Sequence, residues 1–190
     1  MKLGIIIGSV RQGRVSDKMA QWVYNAATKL DGVEVELIDL LDYKLPLFDE
    51  PISPQYNPSR VTEGDAKRWL ETLAKQDAYV IVTPEYNHSV PGALKNALDY
   101  IAYEISGKPV AIATHGATSG GQLVAHMRGV IPALFAVTTP TFVGLPYMVA
   151  ASFDAEGNTD ADEHGHFAGL LDKVLAELTQ YSTALATMQK

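Results

Sequence analysis

Five short apolar runs divide the chain. They are KLGIII at 2–7, VEVELI at 33–38, AYVIVT at 78–83, PVAIAT at 109–114, and a run within AVTTPTFVGL at 136–145. The first, third and fourth are nearly continuous in Ile, Val and Ala, as expected of strands covered on both faces. The second alternates Val, Glu, Val, Glu, Leu, which predicts a strand nearer an edge. Between the runs the period changes to that of a helix, over 16–30, 62–76, 92–103, 121–135 and 166–187. Met19, Trp22, Val23, Ala26 and Ala27 make the apolar stripe of the first helix, and Leu170, Leu171, Val174, Leu175 and Leu178 that of the last. Strand and helix recur at intervals of roughly 25 to 40 residues, the rhythm of βαβ units. Strict alternation with right-handed crossovers predicts an α/β three-layer sandwich on a five-stranded parallel sheet in order 2-1-3-4-5, as one domain over 1–190.

One stretch does not fit this rhythm. Residues 40–61, LLDYKLPLFDEPISPQYNPSRV, hold four prolines and no clear period. A connection of that length inside a compact domain is functional or carries structure of its own. Leu45, Leu47, Phe48 and Tyr56 point to a packed loop or one that covers a partner.

Composition narrows the function. Apolar residues make up 47% of the 190, enough for a sizeable core, and no apolar run approaches the roughly 20 residues that cross a bilayer. The opening MKLGIIIGSVRQGR has a short apolar part and no small-residue cleavage site, so a secretory signal is not expected. The absence of cysteine removes disulfides, thiolate nucleophiles and zinc-thiolate sites, and fits a cytoplasmic location. A net charge of −7 with no basic block makes nucleic acid and anionic membrane poor partners.

The candidate chemistry begins after the first run, in GSVRQGRVS at 8–16. Gly8 and Gly13 have the spacing of a nucleoside-triphosphate loop, but Arg14 stands where that loop needs Lys and Val15 where it needs a hydroxyl. The dinucleotide pattern G-x-G-x-x-G is also absent. What remains is a strand-to-helix turn with hydroxyls at Ser9 and Ser16 and guanidiniums at Arg11 and Arg14. Such a turn offers an anion backbone N–H groups at a helix start and directed side-chain donors. A terminal phosphomonoester is the expected guest. The plainer reading is that Ser16 caps the helix and the arginines are solvated.

The second polar loop is TPEYNHSVPGALKNALDY at 83–100. Pro84-Glu85-Tyr86-Asn87-His88-Ser89-Val90-Pro91-Gly92 carries far more polar chemistry than a chain reversal requires. In order 2-1-3-4-5 the strand order reverses between strands one and three, and ligands bind beyond the carboxyl ends there. The 8–16 and 84–92 loops therefore meet, with HGATSGGQ at 115–122 adjacent. Together they suit a flat heterocycle with a phosphate tail.

These same residues carry a resemblance. GSVRQGRVSDKMAQWV, LPLFDEP, TPEYNHSVPGALKNALDY and FDAEGNTDADEHGHFAGLL resemble the NADPH-dependent FMN reductase family, a flavodoxin-like group that includes quinone, azo-dye and chromate reductases. The resemblance implies FMN phosphate binding by Ser9, Arg11, Arg14, Val15 and Ser16. It places Pro84, Glu85, Tyr86, Asn87, His88 and Ser89 along the isoalloxazine and His115 and Gly116 on its other margin. It also implies NADPH or NADH as donor, quinones or similar small molecules as acceptors, and a homodimer or homotetramer. No side-chain acid or base is required for hydride transfer to a flavin, so no catalytic side chain is assigned. The alternative is a flavodoxin-type electron carrier without NAD(P)H activity.

Other polar clusters read as structural. Asp160, Asp162, Glu163, His164 and His166 resemble a metal set, but a calcium loop from Asp154 would place Thr159 at the required Gly and Gly165 at the required Glu. A solvated acidic turn before the last helix is the expectation, with no metal. His126 is expected on a helix surface, and Trp22 and Trp69 in the core or an interface.

Overall fold

The computed structural model describes residues 1–57, 59–162 and 165–188. Its strands are β1 (Lys2–Ile7), β2 (Glu34–Asp39), β3 (Ala78–Pro84), β4 (Pro109–Gly116), β5 (Val137–Thr138) and β6 (Val143–Pro146). Its helices are α1 (Ser16–Ala27), α2 (Gly64–Ala74), α3 (Gly92–Asp99), α4 (Gly121–Ala133), α5 (Tyr147–Ala151) and α6 (His166–Met188). The sheet is parallel throughout in order β2-β1-β3-β4-β5, with β6 also paired to β4.

Alternation along the strands assigns side chains to two layers of helix. Leu3, Ile5, Ile7, Val80 and Val82 pack with Met19, Val23, Leu171, Val174 and Leu175 of α1 and α6. Ile6, Tyr79, Ile81 and Ile112 face Trp69, Leu73, Leu94, Leu98 and Met127 of α2, α3 and α4. β3 and β4 are buried along their whole length, whereas β2 is largely open, as its Glu-rich alternation predicts. Both tryptophans are enclosed to the degree their helix positions imply. Trp69 is fully buried and donates from Nε1 to the Ala97 carbonyl, 2.9 Å, while Trp22 packs on Phe153.

One feature differs from the sequence expectation, and the 40–61 stretch takes the first of its two expected forms. The run at 136–145 is not one strand. Pro140 cannot donate to a ladder, and the chain breaks into β5 near the start of β4 and β6 near its end. That break carries the chain to the carboxyl edge of the sheet and starts the unexpected short helix α5 there. The 40–61 stretch folds back on its own subunit. Asn96 receives a hydrogen bond from the Phe48 N–H and donates to the Pro46 carbonyl, and Phe48 meets Tyr100 edge-on. Leu45 and Phe48 thus close the core over α3, while Leu47 and Tyr56 remain 83% and 80% exposed.

The acidic turn before α6 forms bonds within itself. Asp154 accepts from the Asn158 backbone N–H at 2.7 Å, and Asp162 accepts from Phe167 and Ala168 at the start of α6. Glu163 and His164 lie outside the described residues, among which no group of three or more His, Asp or Glu is placed to hold a metal. No helix among the described residues is long and apolar enough to cross a membrane.

Candidate functional site

The carboxyl ends of β1, β3 and β4 open on one cavity of about 330 Å³, a size typical of small-molecule sites. Its lining joins the three predicted loops: Ser9, Arg11, Arg14, Val15 and Ser16 from the first, Pro84, Glu85 and Tyr86 from the second, His115 and Gly116 from the third. Asn87, His88 and Ser89 are not in that lining. They form the tip of a tight hairpin in which the Tyr86 and Ser89 backbones exchange two 2.9 Å hydrogen bonds. Ala117 and Tyr147 are in the lining but were not expected. Tyr147 comes from α5, whose position depends on the strand break at Pro140, and no local sequence signal marked it.

The first loop turns tightly through Arg11–Arg14, where the Arg14 N–H bonds the Arg11 carbonyl and Gly13 takes φ 68°. A positive φ at that position is the reason for glycine. The two arginines then take different roles. Arg14 donates to Asp39 through both terminal nitrogens and to the Ser9 carbonyl at 2.7 Å, and it lies near Asp17. The hydrogen bond it donates to Asp39 raises its pKa further despite burial. Arg14 is therefore a brace that ties the loop to the end of β2. Arg11 is exposed, its side chain has no hydrogen bond or ion pair among the described residues, and its guanidinium lies over the Tyr86 ring at 5.8 Å. It is free for an anion.

Helix α1 opens on Val15 with no side-chain cap, and of its first-turn donors the Lys18 N–H bonds the Asp17 carboxylate at 3.0 Å while no capping residue takes the others. Ser16 does not cap it. The Ser16 hydroxyl is fully buried, 2.9 Å from His115 Nε2. Ser9 is nearly as enclosed, with its hydroxyl 3.4 Å from the Tyr86 phenol. Burial, reinforced by the Arg11 charge, lowers the His115 pKa to about 4 and keeps the ring neutral.

The second loop is pinned to α4 at both ends. Glu85 accepts from Thr118 Oγ1 at 2.6 Å and from the Leu123 N–H at 3.0 Å, so its carboxylate sits on the α4 N-terminus. Burial alone would raise the Glu85 pKa, but these donors outweigh it and hold the pKa below the ordinary range. Ser89 Oγ meets His126 Nδ1 at 2.6 Å on the exposed face of α4. Gly116 runs so close to Glu85 that a Cβ there would meet the Glu85 Cβ at 3.1 Å.

A parallel sheet in this order is a flavodoxin-like fold, and its cavity lies at the switch point where such folds bind their ligands. The donor set agrees with a phosphate-bearing ligand: a free guanidinium and an uncapped helix start stand at one end of a cleft walled by Pro84 and Tyr86. The family model for NADPH-dependent FMN reductase matches residues 1–149, and the chain belongs to that family. It is 33% identical over 190 residues to an NAD(P)H-dependent FMN reductase of Nectria sp, covering 97% of this chain and 88% of that protein. It is 29% identical over 184 residues to a quinone reductase of Escherichia coli K12, covering 93% and 90%. Among solved structures it superposes with TM-score 0.73 on FerB, a flavoenzyme NAD(P)H:(acceptor) oxidoreductase of Paracoccus denitrificans, at 20% identity over 95% of this chain and 98% of that one.

Proposed function

We propose that this protein is an FMN-dependent NAD(P)H oxidoreductase that delivers electrons to quinones or similar small acceptors. The observation that carries the reading is the convergence of an unpaired Arg11, the uncapped α1 start and the Tyr86 hairpin on one cavity at the switch point. Bound FMN would supply the redox chemistry, uptake of hydride from the nicotinamide and delivery of electrons to the acceptor.

The chain's own residues bind and orient. Arg11 and the α1 N-terminus would hold the phosphate, and Arg14 and Asp39 keep that loop in shape. Pro84, Tyr86 and Gly116 bound the planar ring, with Gly116 allowing close backbone approach. Glu85 acts as a brace to α4, and Asn87, His88 and Ser89 form the rim that a nicotinamide or acceptor meets first. The uncapped start of α3, behind Pro91, adds a partial positive end beside the second loop. The 190 residues act as one catalytic domain in a cytoplasmic homodimer or homotetramer.

The test is a visible spectrum of FMN-loaded protein before and after anaerobic NADPH addition. Loss of the oxidised flavin band within the mixing time, followed by reoxidation on adding a quinone, is the expected result. A spectrum unchanged by both NADPH and NADH would instead favour a flavodoxin-type carrier.

A further inference from the structure

Ser16 and His115 form a buried pair that links the first residue of α1 to the end of β4, with the hydroxyl 2.9 Å from Nε2. Ser16 has no exposure, and His115 is the only hydrogen-bond partner of its hydroxyl among the described residues. A hydroxyl enclosed in this way has one proton to place. Were it to accept from an Nε2–H, its own O–H would be buried without an acceptor, and a buried unpaired donor costs more than an idle lone pair. Ser16 therefore donates, Nε2 accepts, and the single ring proton of neutral His115 resides on Nδ1.

Nδ1 has no partner among the described residues. It is also absent from the side-chain polar atoms that are both unpaired and sealed, such as the Thr114 hydroxyl one position earlier. Nδ1 is thus the ring nitrogen left to face the cavity that His115 lines. The geometry points to His115 as a neutral hydrogen-bond donor to an oxygen or nitrogen of bound FMN, with its tautomer dictated by Ser16. This rests on the FMN reading above and adds to it the direction of one contact. Burial and the Arg11 charge oppose a second ring proton, and Ser16 opposes it as well, because an imidazolium would return the hydroxyl to its orphaned state.

The experiment is 15N NMR of the His115 ring in the full-length protein loaded with FMN, joined to FMN affinities of variants. The expected spectrum has Nδ1 protonated and Nε2 bare, and Ser16→Ala shifts the proton toward Nε2. His115→Leu should weaken FMN binding about threefold to tenfold, the effect of one neutral hydrogen bond. His115→Asn, whose amide nitrogen matches Nδ1, should recover most of that loss, whereas His115→Gln, which matches Nε2, should not. A holoprotein with its proton on Nε2, or recovery by Gln in place of Asn, overturns the inference and leaves the proposed function standing. The wild-type spectrum decides even where a variant fails to fold. A protein that takes up no FMN overturns both.

Discussion

Two arginines three positions apart look equivalent in the sequence, and their surroundings separate them. Arg14 is tied to Asp39 and the Ser9 carbonyl, so Arg14→Ala removes charge-assisted bonds from a largely enclosed site and leaves Asp39 unmatched. Its expected cost is about 1.5–3 kcal/mol of folding stability, read by urea denaturation. Arg11 has no such partner. Arg11→Ala should change stability by less than about 0.5 kcal/mol while weakening FMN binding roughly ten- to a hundredfold. Affinity for riboflavin, which has no phosphate, should barely change. Equal stability losses in the two variants would contradict the division of roles.

His115 gives a second prediction at this scale. Its pKa falls from 6.5 to about 4 on folding, so between those values the unfolded chain binds a proton that the folded chain does not. Stability must then rise with pH across that window: full above about 6.5, and lost as pH falls toward 4. The contribution is about 3 kcal/mol, from about 1.4 kcal/mol per pKa unit. Wild type and His115→Leu, unfolded in urea at several pH values from 7 to 4, should differ by that change in slope. Parallel stability curves would mean that the ring is protonated inside the fold.

At the scale of elements, the hairpin after β3 is the strained part of the site. Asn87 and His88 have φ of 49° and 65°, the pair of positive values that a two-residue type I′ turn demands. Asn and His enter that region more often than other side-chain-bearing residues, but each still carries a Cβ cost there that glycine does not. The His88 side chain is 72% exposed, with only a 3.5 Å approach to Glu85. His88→Gly should therefore raise the unfolding free energy by about 0.5–1 kcal/mol, relief of backbone strain exceeding the added chain entropy. A fall in the thermal midpoint would show that the Glu85 contact matters more than the backbone. The same turn explains why Pro84 to Ser89 do not act as one surface. Pro84 ends the strand, Glu85 and Tyr86 face inward, and the reversal lifts the remaining three to the rim.

For the whole molecule, assembly is the open prediction. Phe48 packs on Tyr100 within its own subunit, so its substitution by Asp would damage the core and could not serve as a test of an interface. Exposed apolar groups remain elsewhere: Leu47 and Tyr56 on the long loop, and Tyr103 stacked on Phe135 at 5.7 Å. These groups are the candidate surface for the proposed contact between copies. Sedimentation at micromolar concentration should give a dimer or tetramer of the 20.6 kDa chain. Leu47→Asp combined with Tyr56→Asp should shift it toward monomer without loss of folded structure. A wild-type protein sedimenting as a single chain would remove the proposal.

The periodicity of apolar residues determined much of this architecture. Continuous Ile, Val and Ala runs fit strands buried on both faces and the alternation in β2 fits an edge, so the alternating α/β layers were legible in the sequence. The order 2-1-3-4-5, and with it the meeting of three loops, rested on the flavodoxin-like pattern and not on periodicity. The glycine at the Arg11–Arg14 turn was equally legible, because a positive φ leaves a local signature. Partnership between residues far apart in the chain has no such signature. That Asp39 would take Arg14, that Ser16 would turn to His115, that Glu85 would cap α4, and that a break at Pro140 would bring Tyr147 to the cavity all depend on which atoms the packed layers bring within hydrogen-bond reach. Sequence periodicity determines which face of an element is buried. Only the closed tertiary structure decides which polar groups are satisfied within the protein and which remain free for a ligand.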